Sequence, residues 1–206
     1  MSLRNIYCVG RNYRLHAEEL NNAVPEAPLI FTKPTHAYTE AKGQIIKMPT
    51  DKGAVHYEVE LVIHLDQDYE EGMSADELID KISIGVDFTL RELQEELKKK
   101  GYPWLPAKGF PNSALCSPWM PFAGLEAIKE YDFALLKNGQ EVQHGNIKDM
   151  IFDIPEILEY VAKEFGLGAG DVIFTGTPAG VGKIQDGDHL ILKWQDTKVG
   201  ECQIGF

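Results

Sequence analysis

Residues Val55–Leu65 read "VHYEVELVIHL". Successive side chains of a strand point to opposite faces. Tyr57, Val59, Leu61, Ile63 and Leu65 thus share an apolar face, and His56, Glu58, Glu60, Val62 and His64 share the other. Taken alone, this alternation predicts a half-buried strand with its polar side in water. It also sets two carboxylates side by side, as a metal site would.

Downstream, "SIGVDFTLRELQEELKKKGYPW" predicts a strand running into a helix that stops at Gly101 and Pro103. Asp87 ends the apolar run. It either caps the helix expected near Thr89 or joins Glu58 and Glu60 as a third carboxylate. Three hard oxygen donors completed by water suit Mg²⁺ or Mn²⁺ rather than zinc. Without a cation, mutual repulsion would tend to keep at least one of them protonated. Arg91 and Gln94, one helical turn beyond Asp87, could reach the same place. The run Lys98–Lys100 reads as the solvated end of that helix, where cations suit the negative end of its dipole.

Short strands are expected in "NIYCVGRNY", broken at Gly10, in Leu29–Thr32 and in "GQIIKMP". "YRLHAEELNN" predicts a helix ending at Asn21 and Asn22. Ser74 and Glu77 form a capping-box pattern. Asn138-Gly139 is a strong hairpin-turn signal. Ile154, Ile157, Leu158, Val161 and Phe165 are spaced for one face of an amphipathic helix. "DVIFTGTPAGVG" predicts a strand entering a Gly/Pro loop, and "DHLILKWQD" with "VGECQIGF" a closing hairpin. Strands and helices do not alternate regularly, so the expected class is α+β. A chain of 206 residues suits one domain, 1–206, around one core.

Other residues carry chemistry. His16 and Glu19, at i and i+3, are neighbours on a helix, where a carboxylate orients an imidazole and raises its basicity. Such a pair can serve as a general base, although it is also an ordinary surface pattern. Lys108, in the loop "PWLPAKGF", could neutralise a substrate carboxylate or a developing enolate. The loop "FTGTPAGVGK" breaks both the GxxxxGK[ST] and GxGxxG patterns. Its backbone N–H groups and the hydroxyls of Thr175 and Thr177 still suit a small anion. No Gly-x-Ser-x-Gly elbow is present.

The net charge of -12 argues against nucleic acid and anionic membrane surfaces as partners. No stretch has the length of a membrane span or the pattern of a signal peptide. Cys8, Cys116 and Cys202 are scattered and odd in number, which points to reduced thiols and a cytoplasmic setting.

Read in order, "YCVGRNYRLHAEE", "PLIFTKP", "VHYEVELVI", "GVDFTLRELQ", "WLPAKGF", "NGQEVQHGNIKDMIFDIPEILEYVA" and "LGAGDVIFTGTPAGVG" resemble the short, single-domain branch of the fumarylacetoacetate hydrolase family. The resemblance spans nearly the whole chain. It implies layered mixed β-sheets with a few peripheral helices, and a homodimer. It implies a Mg²⁺ ion, with Mn²⁺ or Ca²⁺ as substitutes, on Glu58, Glu60 and Asp87. It gives catalytic roles to His16, Glu19 and Lys108, and substrate contacts to Arg11, Arg91, Gln94 and Thr177. The implied substrate is a small 2-oxo acid. The leading expectation is hydrolysis of a C–C bond in an acylpyruvate-type β-diketo acid, with a pyruvate enolate as leaving group. Oxaloacetate decarboxylation and 2-hydroxydienedioate isomerisation share that enolate and stand as alternatives, and a non-catalytic binding protein is a third reading. The family usually follows "AKGF" with Asp; this chain has Pro111 and then Asn112.

Overall fold

Val59 pairs with Val86, and from there Val59–Leu65 runs antiparallel to Ile79–Asp87 at the centre of the molecule. The computed structural model describes residues 3–19 and 23–206. The largest sheet has eight strands. Seven lie in the order Leu29–Lys33, Ile6–Gly10, Val172–Phe174, Val59–Leu65, Ile79–Asp87, Ala114–Cys116 and Tyr38–Glu40, and Met120–Pro121 pairs beside Ile79–Asp87. A second sheet orders Gln140–Gly145, Phe133–Lys137, His189–Trp194, Thr197–Gly205 and Lys42–Lys47. A third joins Gly182–Lys183, Val55–Tyr57 and Thr89–Leu90. Parallel and antiparallel pairings mix in the first two sheets. The architecture is the expected α+β one of layered mixed sheets with short peripheral helices.

The strand at Val55–Leu65 departs from its simplest reading in two ways. It is broken at Glu58, so Val55–Tyr57 leaves to pair with Thr89–Leu90 and Gly182–Lys183. The remainder is buried on both faces. Leu61, Ile63 and Leu65 enter the main core with Leu135, Leu190 and Leu192 of the second sheet. Val62, on the side expected in water, lies in a smaller apolar cluster with Cys8, Cys116 and Phe174. A strand with neighbours on both edges and apolar layers on both faces has no solvated side. His64 is absorbed structurally: it pairs with Asp80 and its ring lies 5.6 Å from that of Trp119.

Several local expectations hold. Ser74 and Glu77 form a capping box on Ala75–Leu78, though that helix ends as Ile79 starts the long strand. Asn138 (φ 53°) and Gly139 (φ 81°) both take the left-handed conformation that a tight hairpin turn demands. Ile154–Phe165 is a helix capped by Asp153 and Glu156; it buries Ile154, Ile157, Leu158 and Val161. Phe165 does not follow them, being 55% exposed at the helix end. Asp87 is not a helix cap, because the helix begins only at Arg91, after Leu90. Gly101, at φ 67°, closes it. The expected helix end at Asn21–Asn22 lies outside the described residues; the helix is described over Arg14–Glu19.

Candidate active site

The break at Glu58 builds the site. Glu58 lies one step beyond the Val59–Val86 pair, opposite Asp87, whose N–H donates to the Glu58 carbonyl at 2.9 Å. Alternation puts Glu60 on the same face as Glu58. One oxygen from each of Glu58, Glu60 and Asp87 lies within 4.8 Å of the other two, and all three residues are buried.

Three buried or half-buried cations meet these carboxylates. Lys108 Nζ donates to Glu58 Oε2 at 2.8 Å, Asp87 Oδ2 at 2.6 Å and Thr89 Oγ1 at 2.7 Å. Arg91 pairs with the other Glu58 oxygen and donates to Gln94 Oε1 at 2.6 Å. Lys33 Nζ stands 2.7 Å from Asp87 Oδ1, off the hydrogen-bond direction, so that oxygen has no hydrogen-bond donor. Lys33 instead donates to the carbonyls of Phe88 and Lys108.

The consequences differ by residue. Burial pushes the Glu58 carboxyl up, but Lys108 and then Arg91 outweigh it and hold it well below the usual carboxylate range. Burial pushes Glu60 far up, and the charges of Asp87 and Glu58 push the same way. Its main relief is the Gly176 N–H, which donates to Glu60 Oε2 at 2.7 Å. Burial lowers the Lys108 pKa, but Asp87 and Glu58 outweigh that and raise it, so the side chain is firmly an ammonium.

The donor set fits a hard divalent ion. It offers oxygens only, from three converging carboxylates. Asp87 Oδ1 is left without a hydrogen bond, and Glu60 lacks a cationic partner of its own.

His16 and Glu19 stand at the same cleft. His16 is buried, and its Nδ1 lies 3.4 Å from Glu19 Oε2. Both Glu19 oxygens accept from the Gly180 N–H at 3.2 Å, which anchors the helix to the Gly/Pro loop. Burial lowers the His16 pKa, outweighing the nearby Glu58 charge and the Glu19 hydrogen bond, so the imidazole is neutral at pH 7.

A narrow cleft is lined by Arg11, His16, Glu58, Glu60, Asp87, Arg91, Gln94, Lys108 and Thr177. The metal, catalytic and substrate-contact residues implied by the resemblance all line it except Glu19, which stands behind His16. Thr175 does not: its hydroxyl is buried and donates to the Leu61 carbonyl at 2.8 Å. Trp104 lines the cleft, whereas Tyr13 is buried in the core and Leu15 and Tyr102 are exposed. Lys98 lines it too, against the expectation of a solvated helix end.

The turn after "AKGF" is held by side-chain bonds to backbone carbonyls. Ser113 Oγ donates to the Lys108 carbonyl at 2.7 Å, and Asn112, at φ 65°, donates to the Lys47 carbonyl at 3.0 Å. Pro111 is exposed.

Four supporting residues escaped the sequence reading. Lys33 falls just past the strand expected at Leu29–Thr32, and it ends the observed one. Gln143, buried in a hairpin, accepts from Val59 N–H at 2.8 Å and donates to Thr177 Oγ1 and the Pro178 carbonyl at 2.9 Å. Asn12 is fully buried and donates to the carbonyls of Thr175 and Phe152. Gly176 adopts φ +108°, and a Cβ there would come within 2.6 Å of Asn12 Cβ. For Lys33 and Asn12 the only signal was position, inside short stretches flanked by Pro and Gly.

A profile of the fumarylacetoacetate (FAA) hydrolase C-terminal family matches residues 5–205. The chain belongs to the fumarylacetoacetate hydrolase family. It is 40% identical over 190 residues to an oxaloacetate tautomerase of Escherichia coli K12, covering 90% of this chain and 85% of that protein. It is 40% identical over 188 residues to a mitochondrial oxaloacetate tautomerase of Arabidopsis thaliana, covering 90% and 83%. The fold is also that of a fumarylpyruvate hydrolase from Pseudomonas aeruginosa, solved with Mn²⁺ and pyruvate. The TM-score is 0.90 and the identity 30%, over 99% of this chain and 90% of that one. Family membership makes the chain an enzyme.

Proposed function

We propose that this enzyme interconverts the enol and keto forms of a small 2-oxo dicarboxylate of the oxaloacetate class, with Mg²⁺ as its ion. The observation that carries the reading is the meeting, in one cleft, of three converging carboxylates and a separate His16 backed by Glu19. The name shared by the E. coli and A. thaliana relatives supports it. Glu58, Glu60 and Asp87 would hold the ion, which when bound supplies Lewis-acid polarisation of the 2-oxo group. Neutral His16 accepts a proton from C3 of the keto form, and the imidazolium so formed returns a proton to the 2-oxo oxygen to give the enol; in the reverse direction neutral His16 takes the enol O–H proton and delivers one to C3. Glu19 fixes the tautomer through Nδ1, leaving Nε2 for the substrate. The Lys108 ammonium adds a fixed positive charge beside the developing enolate. Arg11, Arg91, Gln94 and Thr177 contact the substrate. The reading treats 1–206 as one catalytic unit, a homodimer in a cytoplasmic, reducing setting; three buried unpaired thiols support the last point.

The test supplies enol-oxaloacetate and follows decay of its ultraviolet absorbance. Acceleration with Mg²⁺, abolished by EDTA and by His16→Ala, is expected. No acceleration at saturating Mg²⁺ would refute tautomerisation.

A second reading keeps the same residues and adds water. The likeness to a fumarylpyruvate hydrolase favours C–C cleavage of an acylpyruvate, with His16 deprotonating the attacking water. Decarboxylation of oxaloacetate needs no base. Pyruvate release from acetylpyruvate marks the hydrolase, and pyruvate with CO₂ from oxaloacetate marks the decarboxylase.

A further inference from the structure

The helix Arg91–Lys100 ends in three consecutive lysines that do not behave alike. Lys99 and Lys100 are exposed. Lys98 retains only 24% of its side-chain exposure and lines the cleft. Arg91, Gln94 and Lys98 stand at i, i+3 and i+7, one stripe of the helix, and all three reach the cleft. Arg91 and Gln94 are tied together and to Glu58 at the inner end. Lys98 lies two turns further out, with no partner among the site carboxylates. It pairs with Glu95 at 2.8 Å, on its own helix, and Glu95 is 44% exposed. A contact of that kind is weak and easily exchanged for a better anion.

The charge of the cleft indicates what that anion is. Arg11, Arg91, Lys98 and Lys108 line it, against Glu58, Glu60 and Asp87. Lys108 and Arg91 are engaged by the site carboxylates; Lys98 has only the partly exposed Glu95 of its own helix. Binding a divalent cation would leave a marked positive excess. A substrate with one carboxylate near the ion site and a second towards the rim would offset it.

We infer that Lys98 is a specificity-determining residue that recognises the distal carboxylate of a 2-oxo dicarboxylate. This rests on the proposed 2-oxo acid site. It deepens that proposal by assigning the selection of a dianion over a monoanion to one rim lysine.

The test compares two unreactive acids of nearly equal shape, malate and 2-hydroxybutyrate, which differ by a carboxylate in place of a methyl group. Their binding to the Mg²⁺-loaded protein is measured by calorimetry for wild type, Lys98→Gln and Lys98→Arg. Wild type should prefer malate. Lys98→Gln should weaken malate by about tenfold, the lower end for a charge-assisted hydrogen bond, and leave 2-hydroxybutyrate unchanged. Lys98→Arg should keep most of the preference. Equal binding of both acids to wild type, or an unchanged malate preference in Lys98→Gln, overturns the inference while leaving the site intact. If wild type binds neither acid, the 2-oxo acid reading itself fails and the inference falls with it.

Discussion

Glu58 and Asp87 face each other across two central strands, joined by one backbone hydrogen bond of 2.9 Å and by a single ammonium, Lys108, that contacts both carboxylates. Like charges directly opposite one another destabilise a sheet, so the pair depends on that cation. Lys108→Met should destabilise the ion-free protein by about 3–5 kcal/mol, as removal of one partner from a buried ion pair does. Urea titration checks this. Added Mg²⁺ should recover part of the loss, because an ion bound only by the folded state stabilises it. In Asp87→Asn the Mg²⁺-dependent gain in melting temperature should disappear.

His16 gives the reaction its acid limb. Burial lowers its pKa, and the neutral form is the base. Activity should therefore be lost as pH falls through a value below the ordinary histidine range, and be flat from there to pH 7. The pH profile of kcat/KM measures it. Glu19→Gln should lower kcat by about 10²-fold, the lower range for a general base. A profile with its acid limb above pH 7 would contradict a neutral, buried imidazole.

Gly176 is placed where a side chain cannot go. Its φ is +108°, and its N–H serves Glu60. Gly176→Ala should cost about 1–3 kcal/mol in stability from backbone strain alone. The clash with Asn12 should also pull the donor away from Glu60. Denaturant unfolding would read the first effect, and the Mg²⁺ dependence of activity the second.

Gln143 ties the Val59 N–H to Thr177 and Pro178 from within the core. Gln143→Leu leaves buried polar groups unsatisfied, at about 1–3 kcal/mol. It also frees Thr177, so KM should rise more than kcat falls. Steady-state kinetics on the enol substrate would separate the two.

Much of this was legible because periodicity and turn chemistry are local. The Asn138-Gly139 hairpin and the capped helices at Ser74 and Asp153 follow from a few adjacent residues. The convergence of three carboxylates was legible through Glu58 and Glu60 on one face and Asp87 at the end of an apolar run. What alternation could not reveal was the second apolar layer over Val62. Cys8, Cys116 and Phe174 come from distant segments and cover a face that a lone strand would leave wet. Distance also hid Lys33, whose partner Asp87 is 54 residues away. Lys98 was misplaced for the opposite reason: its neighbours Lys99 and Lys100 made a uniform basic run of what the helix divides into a rim residue and two solvated ones.

The surroundings of Lys108 bear on the organic chemistry open to this enzyme. Its three N–H bonds point at Glu58, Asp87 and Thr89, and its Nζ lies 4.9 Å from the centre of the Phe31 ring. An amine so held has no lone pair to offer a ketone. Carbonyl substrates entering this cleft meet a lysine that cannot condense with them, and borohydride should trap no imine. The fold keeps a buried amine as a permanent cation and so removes it from the nucleophiles of the site.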